Sequence, residues 1–204
     1  MTTSRRVPPA PGFEHIGRMF DAKLEKVIAR VQPGELYVTT DDELIQTTLG
    51  SCIAVCIRDE KAHIGGMNHF MLPLDKGAGR GLSGDAARYG GGAMELLFNE
   101  LLKRGGNKGR FEVKVFGGGN VLNGVSDVGE TNIEFIHQFL RDEGLIISSE
   151  DVGGHQPRKI LFHPLTGKVR MKKMGSADQK LRDEEAAYKK TLTAQPVGGE
   201  IELF

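Results

Sequence analysis

QTTLGSCIAVCIRDEKAHIGGMNHFMLP, residues 46–73, reads as two apolar ribbons around a charged connector. Ile53–Ile57 is short, apolar and partly β-branched, the composition of a buried strand. Asp59, Glu60, Lys61 and Ala62 supply the turn, and Ile64–Met71 runs apolar again with His69 near its far end. With the loop at 59–62, Arg58 faces His63, and antiparallel pairing then sets Cys52 opposite His69. Facing side chains lie on one side of a sheet with Cβ atoms roughly 4.5–5.5 Å apart, so a thiol and an imidazole meet at the mouth of the hairpin. A slip of one residue would send them to opposite faces. A thiolate nucleophile needs a neighbouring base or cation, and histidine is the usual partner.

Upstream of this ribbon, residues 1–12 hold three prolines and little to bury, the pattern of a flexible arm. Apolar residues at Ile16, Phe20, Leu24, Val27 and Val31 predict a helix over 13–34, stopped by Pro33-Gly34. Leu36–Thr39 reads as a strand, and Asp41, Asp42 and Glu43 as an acidic break. Downstream, a glycine-rich loop at 76–84 leads to a helix striped by Met94, Leu97, Phe98, Leu101 and Leu102, with Gly105 as its C-cap. Phe111–Phe116 alternates like a strand and leaves through Gly117-Gly118-Gly119-Asn120. A helix capped by Ser126 or Asp127 presents Ile133, Ile136, Phe139 and Leu140 and ends at Gly144. Leu145–Ser148 is a strand, and 159–162 with 169–171 form a hairpin around Pro164-Leu165-Thr166-Gly167. The segment 176–204 opens on a capping box, Ser176 with Gln179, and continues as a helix charged almost all round, with Glu185 four before Lys189. It reads as a solvated helix with a loose end, its alternative being a partner-binding helix. These elements predict one α/β domain at 35–175 with a mixed, partly antiparallel sheet covered by helices.

Composition narrows the function classes. The chain has 204 residues, 39% hydrophobic and 26% charged, ordinary for a domain with a real core. Lys plus Arg equals Asp plus Glu at 27 each, so no net field draws the protein to nucleic acid or anionic lipid. No apolar run reaches the ~18 residues of a membrane span, and MTTSRRVPPAPG lacks the apolar core of a signal peptide. Cys52 and Cys56 share one strand face, too constrained to bridge, and two free thiols point to a reducing cytoplasm.

The candidate residues each have an ordinary alternative. A cysteine on an apolar strand is most often a core thiol, and Cys56 keeps that reading. Cys52 differs by following Leu49-Gly50-Ser51, where small residues let backbone N–H groups approach a ligand as an oxyanion hole. His69 in an apolar strand is a core residue unless it meets Cys52; Asn68 points to the other face. Thr47, Thr48 and Ser51 are structural or orient the imidazole or substrate. Gly117-Gly118-Gly119 lacks the phosphate-loop pattern, and Gly90-Gly91-Gly92, read as lying before a helix, is a weak anion site; turns or close packing suit both better. The remaining histidines show no metal spacing, so no metal or organic cofactor is expected.

Leu49-Gly50-Ser51-Cys52, Gly65–Pro73, Arg88-Tyr89-Gly90, Val115–Asn120, Gly129 with Asn132, and Asp151–Gly154 followed by Arg158 resemble, in order, the chemoreceptor glutamine deamidases of the CheD family. The likeness covers roughly Leu36–Met174. It implies a three-layer α/β sandwich related to toxin-type cysteine deamidases. It also implies hydrolysis of glutamine side chains on the cytoplasmic helices of chemotaxis receptors to glutamate, with release of ammonia. Its nucleophile falls on Cys52 and its histidine on His69; its threonine falls on Thr47, with Thr48 close behind. A CheC-like phosphatase is a second candidate partner. The rival classes are a non-catalytic receptor or phosphatase adaptor and a receptor methyl-ester hydrolase.

Overall fold

The computed structural model describes residues 4–6, 8, 10–72, 84–121, 128–175 and 179–194. The strands form two sheets. The first runs β1 (Ser4–Arg6), β2 (Gly17–Asp21), β3 (Lys26–Arg30), β5 (Leu44–Leu49), β10 (Arg158–His163), β11 (Lys168–Lys173); β3 and β5 are parallel and the other pairs antiparallel. The second runs β4 (Leu36–Thr39), β7 (Ile64–Phe70), β6 (Ile53–Asp59), β8 (Glu112–Gly117), β9 (Ile147–Val152), parallel only between β8 and β9. Helices α1 (Gly84–Lys103) and α2 (Val128–Asp142) pack on the second sheet. Its opposite face meets the first sheet, where β5 touches β6 and β7. The α/β class and mixed pairing agree with the expectation, but the strands divide between two sheets rather than one.

β6 is the centre. It pairs with β7 on one side and β8 on the other, and six of its seven residues are buried. Ile53, Val55 and Ile57 are fully enclosed, each contributing about 1.5–3 kcal/mol by leaving water. Neighbouring residues on β7 face opposite layers: Asn68 donates to Ala93 O of α1, and His69 reaches Thr47 of β5.

The register of the central hairpin differs from the expected one by two residues. Ala54, not Cys52, pairs with His69, because the connector is 60–63 rather than 59–62. Asp59 stays in the strand, its buried carboxylate accepting from Asn107 N and the Arg110 guanidinium, while His63 takes a left-handed conformation at φ 49°. A two-residue shift preserves parity, so the residues of β6 keep the faces the expected register gave them, while Cys52 itself precedes the strand.

The expected helix at 13–34 is instead the β2–β3 hairpin. Asp21 Oδ1 accepts from Lys23 N and Leu24 N, closing a turn that Glu25 leaves at φ 51°. β3 then adds to β5, so no boundary falls at residue 34. Part of the expected arm is also paired: Ser4–Arg6 lies against β2. Gly90-Gly91-Gly92 sits inside α1, not before it, and a side chain on Gly90 would strike Phe135 and Leu72. The stripe of α1 is buried at Met94, Leu97, Phe98 and Leu101, while Leu102 is exposed. Of the expected loop at 76–84, Gly84 opens α1, and residues 76–83, like the caps at Ser126, Asp127 and Ser176, lie outside the described residues. No described helix is long and apolar enough to cross a membrane.

Candidate active site

β6 begins only at Ile53, so the preceding Gly50-Ser51-Cys52 is free of the sheet ladder. Its carbonyls are held from one side. Gly50 O accepts from Gly119 N at 2.7 Å, Cys52 O from Gly118 N at 2.8 Å, and Ser51 O from Asn132 Nδ2 at 2.8 Å. The other end of Asn132 accepts from Leu72 N, tying the loop to the exit of β7. Gly117, at φ 117°, must be glycine: a Cβ there would lie 2.0 Å from Cys52 O. The glycine loop is braced in turn by residues 151–154, where Gly153 N donates to Gly117 O and Gly154 O accepts from Asn120 N. Buried Arg158 fixes that brace through Asp151 O, Asp151 Oδ1 and Gly153 O.

With the carbonyls held behind, the three N–H groups converge in front on one carboxylate, that of Glu185. Gly50 N donates to Oε1 at 2.8 Å, Ser51 N to Oε2 at 3.2 Å and Cys52 N to Oε1 at 3.5 Å. Ser51 Oγ adds a bond to Oε2 at 2.9 Å. Consecutive backbone donors of this kind make an anion-binding concavity. The Cys52 thiol sits beside the same carboxylate. Burial first, and then Glu185, pushes its pKa well above the ordinary range, so the thiol is protonated in this arrangement.

On β5, Ile45, Thr47 and Leu49 face the second sheet, whereas Gln46 and Thr48 are only half-buried. Thr47 Oγ1 donates to Val31 O at 2.8 Å and lies 2.8 Å from His69 Nδ1. With its only proton committed to Val31 O, the hydroxyl accepts from Nδ1–H. That bond puts the lone pair on Nε2, which has no hydrogen-bond partner in its buried position. Burial lowers the His69 pKa to about 4, leaving the ring neutral at pH 7. Two clefts, of about 260 and 240 Å³, reach His69.

His69 and Thr47 thus meet between the sheets, Cys52 lies in the loop ahead of β6, and Thr48 is not bound to the imidazole among the described residues. Sequence reasoning missed Val31, which lies in the segment expected to be a separate helix, and Glu185. The latter belongs to α3 (Gln179–Ala194), where Leu181, Glu185 and Leu192 are buried and Tyr188 is half-buried. Their 4-3-4 spacing is the signal that marks an inward face. The expected solvated helix is therefore docked on the domain, with Glu185 turned inward.

A cysteine ahead of its strand, a cradle of backbone donors and an imidazole with a fixed tautomer are the parts of an acyl-transfer site built on a thiol. Similarity to known proteins narrows that class. A family model described as CheD chemotactic sensory transduction matches residues 71–173. A protein of Saccharophagus degradans named as a probable chemoreceptor glutamine deamidase CheD is 47% identical, covering 98% of this chain and 95% of its own. Proteins of the same name from Hahella chejuensis and Halorhodospira halophila are each 46% identical over 95% of this chain and 93% and 92% of theirs. The chain belongs to the CheD family.

Proposed function

We propose that this protein is a protein-glutamine deamidase that hydrolyses glutamine side chains on the cytoplasmic helices of chemotaxis receptors, working in the cytoplasm. The observation that carries this reading is the cradle of N–H groups from Gly50, Ser51 and Cys52, a seat sized for a side-chain carboxyl or carboxamide.

The substrate carboxamide takes that seat. The Cys52 proton passes to His69 Nε2 as sulfur attacks the amide carbon. The three N–H groups stabilise the oxyanion that forms, a contribution of about 3–4 kcal/mol for a single well-placed donor. His69 returns the proton to the departing nitrogen, and ammonia leaves as the C–N bond breaks. Water, deprotonated by Nε2, then attacks the thioester, releasing glutamate and restoring the thiol. Thr47 acts through the imidazole, holding Nδ1–H so that Nε2 remains the base. No step calls on a metal or organic group. A CheC-like phosphatase is proposed as a further partner.

The test is mass spectrometry of a receptor cytoplasmic fragment with parallel assays for ammonia and methanol. Glutamine-to-glutamate conversion with ammonia release, lost in Cys52→Ala, is the expected result. Conversion that persists in Cys52→Ala would leave the protein an adaptor, and methanol release from a methylated receptor would make it an esterase.

A further inference from the structure

The occupant of the proposed seat is the chemical product of the proposed reaction. Glu185 is a glutamate side chain presented from a helix, 1% exposed, and bound by the same three N–H groups that the mechanism assigns to the oxyanion. The approach leaves no slack: a Cβ on Gly50 would lie 2.6 Å from Glu185 Oε1. The helix is seated along its length as well. Leu181 and Leu192 are buried at its two ends, and the Tyr188 ring lies against Gly34. Tyr188 Oη meets Tyr89 Oη of α1 at 2.5 Å. Leu181 also lines the cleft that contains Thr47 and His69.

A carboxylate need not be buried here for the fold's sake. An unpaired charge inside a protein is costly, and an exposed face was open to residue 185 on a helix this polar. What stabilises it is a set of donors that otherwise faces the reacting group.

We infer that α3 is an internal product mimic: it occupies the groove in which a substrate helix lies, with Glu185 where the reacting glutamine enters, so that substrate must displace it. The groove accordingly fits a helix presenting one glutamine or glutamate within an apolar stripe of 4-3-4 spacing. This rests on the deamidase reading and adds to it a built-in competitor. While α3 is docked, the seat is full and Cys52 is shielded.

The full-length Glu185→Gln variant turns the mimic into a substrate. Sulfur attacks the amide carbon introduced at position 185, ammonia leaves with the His69 proton, and water cleaves the thioester to return glutamate. Peptide mapping is expected to show position 185 converting to glutamate at a rate independent of protein concentration, with no conversion when Cys52→Ala is added. A companion variant, Glu185→Lys, puts a cation among N–H donors and expels the helix. Iodoacetamide is then expected to label Cys52 at least about tenfold faster than in the parent, the gain of a thiol relieved of burial and a neighbouring carboxylate. Turnover of a receptor fragment is expected to rise with it.

If the introduced glutamine persists while the same Glu185→Gln variant deamidates a receptor fragment, the mimic is overturned and the deamidase stands. If the introduced glutamine converts and receptor fragments do not, the mimic stands and the receptor assignment falls. If Glu185→Lys melts as a folded protein yet labels at the parent rate, α3 does not cover the thiol and the inference fails.

Discussion

Cys52 and Cys56 are the same residue, four positions apart on one ribbon and both enclosed. Burial raises the pKa of each thiol. They differ in the backbone around them. Cys56 lies inside β6, paired with Met67 on one side and Lys114 on the other, so the surrounding N–H groups are engaged in ladders. Cys52 lies ahead of the ladder, where three consecutive N–H groups are free to gather on a ligand. A reactive cysteine on a central strand therefore belongs at its end. Enclosure alone makes a core thiol; free backbone donors beside the sulfur suit Cys52 to the proposed nucleophilic role.

The contrast breaks most sharply at Cys52 itself. Cys52→Ala is expected to lower kcat on a receptor fragment by at least about 10³-fold. Loss of comparable size in Cys56→Ala would erase the distinction between the two thiols.

Next is the support behind Cys52. Gly117→Ala adds a Cβ 2.0 Å from Cys52 O at a left-handed φ. It is expected to destabilise by about 3 kcal/mol or more in urea unfolding and to lower activity with it. An equal effect at Gly144, where φ is 69° and an added Cβ meets nothing within 4 Å, would point to backbone strain alone.

The pH dependence of stability tests the neutral state of buried His69. His69 is held at about 4 against an ordinary value of 6.5. The folded chain thus keeps the ring neutral where the unfolded chain takes up a proton. Stability from this group is complete above pH 6.5 and falls as pH drops toward 4, by up to about 3 kcal/mol. Denaturation midpoints across that range should show the slope, and His69→Gln should remove it.

Thr47→Val releases the imidazole from its tautomer and is expected to lower kcat about 10²-fold with KM near the parent value. Thr48→Val, on the opposite face of β5, is expected to leave both unchanged. The smallest effect is Cys56→Ala, about 1 kcal/mol of stability for a partly refilled core site, with activity within twofold of the parent.

Much of this was legible because short-range signals and long-range ones agreed. The apolar run at 53–57, the stripe at Met94–Leu101, Gly105 and Gly144 at helix ends, and the hairpin around Pro164–Gly167 are local patterns that the fold keeps. The small residues before Cys52 announced a backbone cradle. Where the reading failed, a local pattern had two solutions. The 4-4-3-4 spacing from Ile16 to Val31 suits a helix, but the turn built by Asp21 and Glu25 and the exposed edge of β5 select a hairpin. The hairpin register was off by two because Asn107 and Arg110, some fifty residues away, hold Asp59 in the strand.

The sequence by itself determined the central strands and the two helices packed on them, and the faces their residues present, since alternation along a strand depends only on residue parity. The tertiary structure alone decided which threonine holds His69, that Val31 completes that contact, and that Glu185 fills the cradle at Cys52. Each of these is a meeting of segments far apart in the chain, from 16 residues between Val31 and Thr47 to 135 between Gly50 and Glu185. The reason is physical: periodicity records which face a residue presents, and only packing determines what that face meets.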